Sequence, residues 1–360
     1  MQLVPDWAPN IHPMIVHFPI VSLIGAVFFD LLNLFLKRYD WLNKSALALY
    51  LLGTVAIIIT FFTGRSAADG LDIPAQIIPA VTDHADWAEL TLWFFIIFLV
   101  VRLAARFWLK SVAGGLKNVV GILLVFISLP GIYLLYETAD HGAKLVFGYG
   151  LGTGNILKSE ELTTKTVNKT KVSDSTFTES ENGSWRLIAD EGVLEILSEK
   201  FRWIEGSLIE LGAMYDESES SLMFHLKKEV PTLAGFVYDK KIKSFRITAN
   251  VNVDDFNGEL ELVHHFKDKN NYDFLLIRDK KISLSRKVNG EIETFEEDNF
   301  SGKGWIEVKV VNDRTHFRGY VNNKLIVHGR DDESDPGSVG IKFSGTGIIS
   351  IKMINVESLK

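Results

Sequence analysis

Hydrophobic and polar positions follow two rhythms along this chain, and the change falls near residue 154. Before it come four apolar runs, each long enough to cross a bilayer as a helix, which takes roughly 20 residues. They cover Pro13–Leu36, Ser45–Phe62, Ala88–Trp108 and Asn118–Tyr136. Arg102 and Arg106 fall near the end of the third run, where long cationic side chains are expected to snorkel to the interface. After residue 154 the apolar period becomes two. Ile306-Glu307-Val308-Lys309-Val310 alternates, Phe317–Val321 follows, and Asn322-Asn323 marks a turn before Leu325–Val327. Further strands are expected over Val193–Leu197, Phe245–Val251, Gly258–His265, Tyr272–Arg278 and Ile348–Ile354. Many short strands separated by turn residues predict a sandwich. The expected architecture is therefore multidomain: an all-α four-helix transmembrane bundle over 1–152, a polar linker over 153–175, and an all-β sandwich over 176–360.

Charge gives the helices a direction. Lys37, Arg38 and Lys44 lie between the first two runs, and Arg102, Arg106, Lys110 and Lys117 surround the turn between the last two. The intervening loop has Arg65 alone against Asp69, Asp72, Asp83 and Asp86. Positive residues stay in the cytoplasm, so the N-terminus and everything after Tyr136 are expected outside. Met1 to Ile11 has no Lys or Arg, so the first run reads as a retained helix rather than a cleaved signal. The 360 residues include no cysteine, which excludes disulfides, thiolate metal sites, iron–sulfur clusters and cysteine nucleophiles. A net charge of -7 argues against general nucleic-acid binding.

The candidate chemistry is histidine. His12 and His17 open the first helix, His84 opens the third with Asp83 as its N-cap, and His141 follows the fourth. All four are expected at the outer face, with Asp86, Glu89, Glu137, Asp140 and the cation Arg65 nearby. His17, one helical turn inside Pro13, is expected to point deepest into the bundle. Three readings fit. The imidazoles are interfacial and hydrogen-bonded separately. Alternatively, two imidazoles from His17, His84, His141 and His12 hold one b-type haem, with Arg65 on a propionate. In the third reading, a divalent metal takes ligands from His17, His84, His141, Asp86 and Glu89. A transporter is disfavoured, because the helices are few and no charge is expected at midplane.

In the sandwich, Gly258-Glu259-Leu260-Glu261-Leu262 lacks the third carboxylate of the Glu-x-Asp-x-x-Glu strand that some related folds use on glycans. Hydrolysis with retention needs two carboxyls about 5 Å apart, so no glycosidase activity is expected. His264 and His265 are adjacent in a strand and should face opposite sides, which disfavours a shared ligand role. Asp331, Asp332, Glu333 and Asp335 form an acidic loop, read as a solvated turn or a Ca²⁺ site.

Two resemblances add to this. The run His12-Pro13-Met14-Ile15-Val16-His17-Phe18-Pro19-Ile20, with Thr63-Gly64, His84 and Asp140-His141-Gly142, resembles a bacterial family of four-helix membrane proteins catalogued as domain of unknown function 2231. The likeness covers roughly residues 9 to 152. It implies a multi-pass protein of the bacterial cytoplasmic (inner) membrane; the loop charges put its C-terminal domain on the periplasmic side. Some members are fused to c-type cytochrome modules, which implies redox work. Trp185–Leu194, Asn271–Leu276, the hairpin Arg318–Val327 and Gly337–Phe343 resemble concanavalin-A-like, laminin-G-like jelly rolls. Together these imply a bilayer-anchored, outward sandwich that binds a glycan or an extracytoplasmic protein, within a membrane complex. The alternative is a b-type haem or divalent-metal redox subunit at the outer leaflet.

Overall fold

The computed structural model describes residues 10–36, 38–71, 73–109, 114–153, 176–227 and 231–359. The predicted linker lies outside these apart from Thr153, and so do Lys37, Asp72 and Lys110. The chain divides into two compact units, one helical and one built of strands.

The helical unit begins with a short α1 (His12–Ile15) and then α2 (His17–Phe35) and α3 (Asp40–Asp69). A 3₁₀ turn at Ala75–Ile77 leads into α4 (Ile78–Trp108), and α5 (Gly114–Ala143) runs into a π-helical turn at Lys144–Gly148. Among the described residues, four helical segments are long and apolar enough to cross a membrane. Leu23 and Ala26 of α2, Tyr50 and Ile57 of α3, Leu92, Phe95 and Phe98 of α4, and Leu135 of α5 pack one core. The opposite faces are apolar too: Val21 is 70 % exposed and Phe126 64 %. Water would penalise such faces, whereas lipid accepts them.

Three expectations need correction here. The helices outrun the apolar segments, so His84 lies two turns inside α4 rather than at its start, and His141 lies within α5 rather than beyond it. Hydropathy marks the edge of the hydrocarbon, while the helical hydrogen bonds continue past it. Arg102 does not snorkel. It is buried, with its guanidinium donating to both oxygens of Asp30 at 2.7 and 2.5 Å and its carbon 4.7 Å from the Tyr50 ring centre. Either charge alone would be very costly at this depth, but a bidentate pair compensates both. Charge therefore does enter the helical core.

The β unit has fifteen strands among the described residues. They are β1 (Phe177–Glu179), β2 (Trp185–Ile188), β3 (Arg202–Glu205), β4 (Ala213–Asp216), β5 (Ser221–Leu226), β6 (Thr232–Ile242) and β7 (Phe245–Asn252). Then follow β8 (Phe256–Asp268), β9 (Asn271–Arg278), β10 (Lys281–Val288), β11 (Glu291–Asn299), β12 (Trp305–Asp313), β13 (His316–Val321), β14 (Lys324–Arg330) and β15 (Gly337–Ser358). The long β15 serves two layers. Its first half pairs with β6 and β8, and its second half with β7, β5 and β2. One layer continues β8-β9-β10-β11 and the other β7-β12-β13-β14. Their inward residues, such as Leu260, Leu262, Ile341, Ile247, Val308 and Ile351, form one core. Asn322 and Asn323 both have positive φ (49° and 63°), the backbone of a tight hairpin turn.

Val193–Leu197 is not a strand. It belongs to α6 (Val193–Lys200), whose Val193 and Leu197 are both buried. The Asp190 carboxylate accepts the Gly192 N–H at 2.9 Å and starts the helical turn, and the four-residue spacing then wins over alternation.

Candidate functional site

Three imidazoles gather at one end of the helical unit. His12 Nδ1 lies 3.1 Å from the carbonyl of Thr60 and 3.3 Å from Thr63 Oγ1. His84 Nδ1 lies 3.0 Å from the carbonyl of Thr138, and His141 Nδ1 lies 2.8 Å from that of Glu137. A carbonyl only accepts, so each Nδ1 must carry its proton, and each neutral ring then presents a lone pair at Nε2. The His84 ring lies over Gly142, the neighbour of His141 in α5.

Two glycines make this packing fit. A Cβ on Gly64 would come 2.8 Å from His12 Cε1, and one on Gly142 would come 2.9 Å from His84 Cε1. These distances explain Thr63-Gly64 and His141-Gly142 as the floors on which rings from other helices lie. Trp87 completes the wall, its ring 5.9 Å from that of His141. The hydroxyls of Thr91 and Thr138, 2.7 Å apart, join α4 to α5 beside it.

The other predicted residues differ in exposure. His17 is exposed rather than deepest. Five residues of helix turn the chain by about 500°, so His12 and His17 point about 140° apart. Once His12 faces α3, His17 cannot. Arg65 is also exposed, and Asp86 and Glu89 are half-buried. Among the described residues, the metal set His17, His84, His141, Asp86 and Glu89 does not bring three ligand atoms within reach of one ion.

At the other end of the bundle, Asp30 and Arg102 line a cavity of about 490 Å³ together with Asn33, Asn43, Arg106 and Lys117. Sequence reading missed it because Asp30 interrupts an otherwise apolar run and shows its partner only once α2 and α4 are packed.

The sandwich holds a second candidate. Met223, Ser350, Asn252 and Trp305 stand opposite one another across β5, β15, β7 and β12. Opposed residues share a face, and Ser350, Asn252 and Trp305 keep partial exposure there. With Asp216, Glu219, Asp255 and Ile348 they line a depression of about 340 Å³. Trp305 Nε1–H donates to Glu219 at 3.0 Å, and Lys352 Nζ sits 4.2 Å from the ring centre. On the other layer, Glu259 pairs with Arg278 and Glu261 with Lys342, each at 2.7 Å. The acidic loop is likewise committed to cations: Asp331 to Arg286, Glu333 to Lys243, Asp335 to Lys267.

The fold and these sites define a four-helix membrane domain joined to an antiparallel β-sandwich. Residues 8–155 match the family described as a predicted membrane protein, DUF2231. No curated protein matches the chain. Among solved structures, the chain is similar to the carbohydrate-binding module CBM66 from Bacillus subtilis, at 13% identity over 44% of this chain and 96% of that one, TM-score 0.36. A β-glucanase of Bacillus licheniformis aligns at 9% identity over 50% of this chain and 100% of that one, TM-score 0.38. Sheep galectin-11 in complex with glycerol aligns at 14% identity over 34% of this chain and 97% of that one, TM-score 0.28.

Proposed function

We propose that this protein is a glycan-binding protein anchored in the bacterial cytoplasmic membrane, with its sandwich on the outer side. The observation that carries the reading is the cross-strand row ending in Trp305. An indole face offers a stacking surface for a sugar ring, and Asn252, Ser350, Asp216 and Glu219 supply donors and acceptors at its rim. The sidedness rests on the basic residues Arg38, Lys44, Arg106 and Lys117, which lie at the turns on the opposite side of the membrane. A glycan array probed with the full chain in detergent should show binding that Trp305→Ala weakens at least tenfold. Binding unchanged by that variant, or none to any glycan, would remove the reading. Protease added to spheroplasts should cleave the sandwich, and full protection would reverse the orientation.

A second reading, haem or redox work at the histidine end, is favoured by one observation: each Nδ1–H is held by a main-chain carbonyl. This is how axial and metal-bound imidazoles are oriented. Two of these rings on facing helices would serve as axial ligands. Absorbance of purified protein near the Soret band, with iron analysis, tests it. Colourless, iron-free protein after expression with excess haem would leave the rings a structural role.

A further inference from the structure

The sandwich buries a second histidine cluster. His264 stands opposite Asp273, and Asp273 opposite Arg286, so the three share one face across β8, β9 and β10. His265 should face away, but its φ is 48° and the β8–β9 register shifts after His264. This left-handed backbone, uncommon for a residue other than glycine, turns the His265 ring to the same side as its neighbour. The expectation of opposite faces is thereby overturned. His264 Nδ1 and His265 Nδ1 are 3.2 Å apart, and His265 Nδ1 is 3.0 Å from Asp273 Oδ2. All three side chains are buried.

The hydrogen bonds dictate what these atoms can do. His265 Nε2–H donates to the Lys243 carbonyl at 2.9 Å, so in the neutral ring Nδ1 carries the lone pair. That lone pair is aimed at another imidazole nitrogen and a carboxylate oxygen. A proton there serves one of these contacts well, whereas a metal ion serves all three atoms. Ligands bonded at about 2.0–2.2 Å in tetrahedral to octahedral geometry lie roughly 2.8–3.6 Å from one another, and the observed separations of 3.2 and 3.0 Å fall in that range. His264 Nε2 is buried without a hydrogen-bond partner, so only Nδ1 can give this imidazole a polar contact.

The charge states suit ligation. Burial pushes His264 down to about 3, which keeps it neutral. The Arg286 guanidinium beside Asp273 favours its carboxylate form. Outer contacts orient the set: Arg286 Nε donates to Asp273 Oδ1 at 2.8 Å and Ser334 Oγ to Oδ2 at 2.6 Å. Asp331 offsets the Arg286 charge.

We propose that His264 Nδ1, His265 Nδ1 and Asp273 Oδ2 form a binding site for a divalent transition metal of the Zn²⁺ type, tying β8 to β9. Two imidazoles and a carboxylate suit Zn²⁺ or Co²⁺ better than Ca²⁺, which prefers oxygen alone. The loop carrying Glu333 and Asp335 gives a way in, since its pairs with Lys243 and Lys267, at 3.1 and 2.8 Å, are solvent-exposed and separable.

The test uses the full chain in detergent, stripped with EDTA and then dialysed against Co²⁺ alone or Zn²⁺ alone. One equivalent of metal, Co²⁺ d–d bands and a higher unfolding temperature are expected. His264→Gln and Asp273→Asn should lose the bands, and His84→Gln should keep them. Absence of bound metal in the parent protein, or equal binding by His264→Gln, would overturn the proposal. Should a variant fail to fold, X-ray absorption of the zinc-loaded parent protein decides. A shell with two imidazoles and oxygen supports the site, and an all-oxygen or three-imidazole shell refutes it.

Discussion

Acid should weaken the sandwich through His264, and the size of the effect follows from its burial. The ring sits at 1 % exposure against Phe245, and burial lowers its pKa from 6.5 to about 3. A histidine depressed in the folded state binds its proton only after unfolding. Stability is then complete above pH 6.5 and falls as the pH drops below it. Each pH unit in that window is worth about 1.4 kcal/mol, so by pH 5 the loss is about 2 kcal/mol relative to pH 7.5. Asp273 does not contribute to this slope. Its pKa is depressed from 3.8, so its stabilisation is present above that value and is lost only in stronger acid. The assay is urea unfolding of residues 176–360, followed by tryptophan fluorescence, with EDTA present to keep metal from the cluster. The segment encloses its own core and is expected to fold alone. Parent protein and His264→Gln are compared at both pH values, so the histidines outside this cluster cancel in the difference. A parent slope equal to that of the variant would refute the assignment of a neutral, proton-excluding His264.

Two further outcomes follow from the helical unit. Gly142→Ala places a methyl 2.9 Å from His84 Cε1, so the ring must move; a loss of about 1–3 kcal/mol is expected, read as a lower unfolding temperature in detergent, and an unchanged one would mean the ring is not seated there. Asp30→Asn leaves the Arg102 guanidinium buried without its counter-charge and should cost about 3–5 kcal/mol, whereas Asp30→Leu with Arg102→Met should recover most of it; equal losses in the single and double variants would show that the pair is not the source.

The helical architecture was legible because lipid demands uninterrupted apolar length, and that demand is local in sequence. The gathering of His12, His84 and His141 at one end was legible in outline, since alternating spans return every second end to the same side. The orientation of each ring was not. His17 looked like the deepest ligand because it lies further along the apolar run, yet depth along a helix says nothing about angle around it. His12 turned inward because Gly64, fifty-two positions later, left room for its ring. The partner carbonyls of Thr60 and Thr138 carry no side-chain signature, so their role appears only when α1 meets α3 and α4 meets α5.

The strands tell the complementary story. Alternation placed β7, β9, β12 and β13 closely, because one buried face imposes a period of two over the whole strand. The same rule misjudged His264-His265, and the reason is specific. Alternation assumes extended backbone at every residue, and a single positive φ at His265 cancels one step of it. Nothing in the doublet itself announces the irregularity, because most histidines, like other non-glycine residues, keep a negative φ. The irregularity is held from outside, by the Lys243 carbonyl on one nitrogen and Asp273 on the other. A backbone held in a sparse conformation by contacts to both nitrogens of its own side chain means that the position of that ring is what the local structure preserves. The proposed metal site would use the ring position that this backbone sets. Among the described residues, His264, His265 and Asp273 are the set of three donors close enough to share one ion.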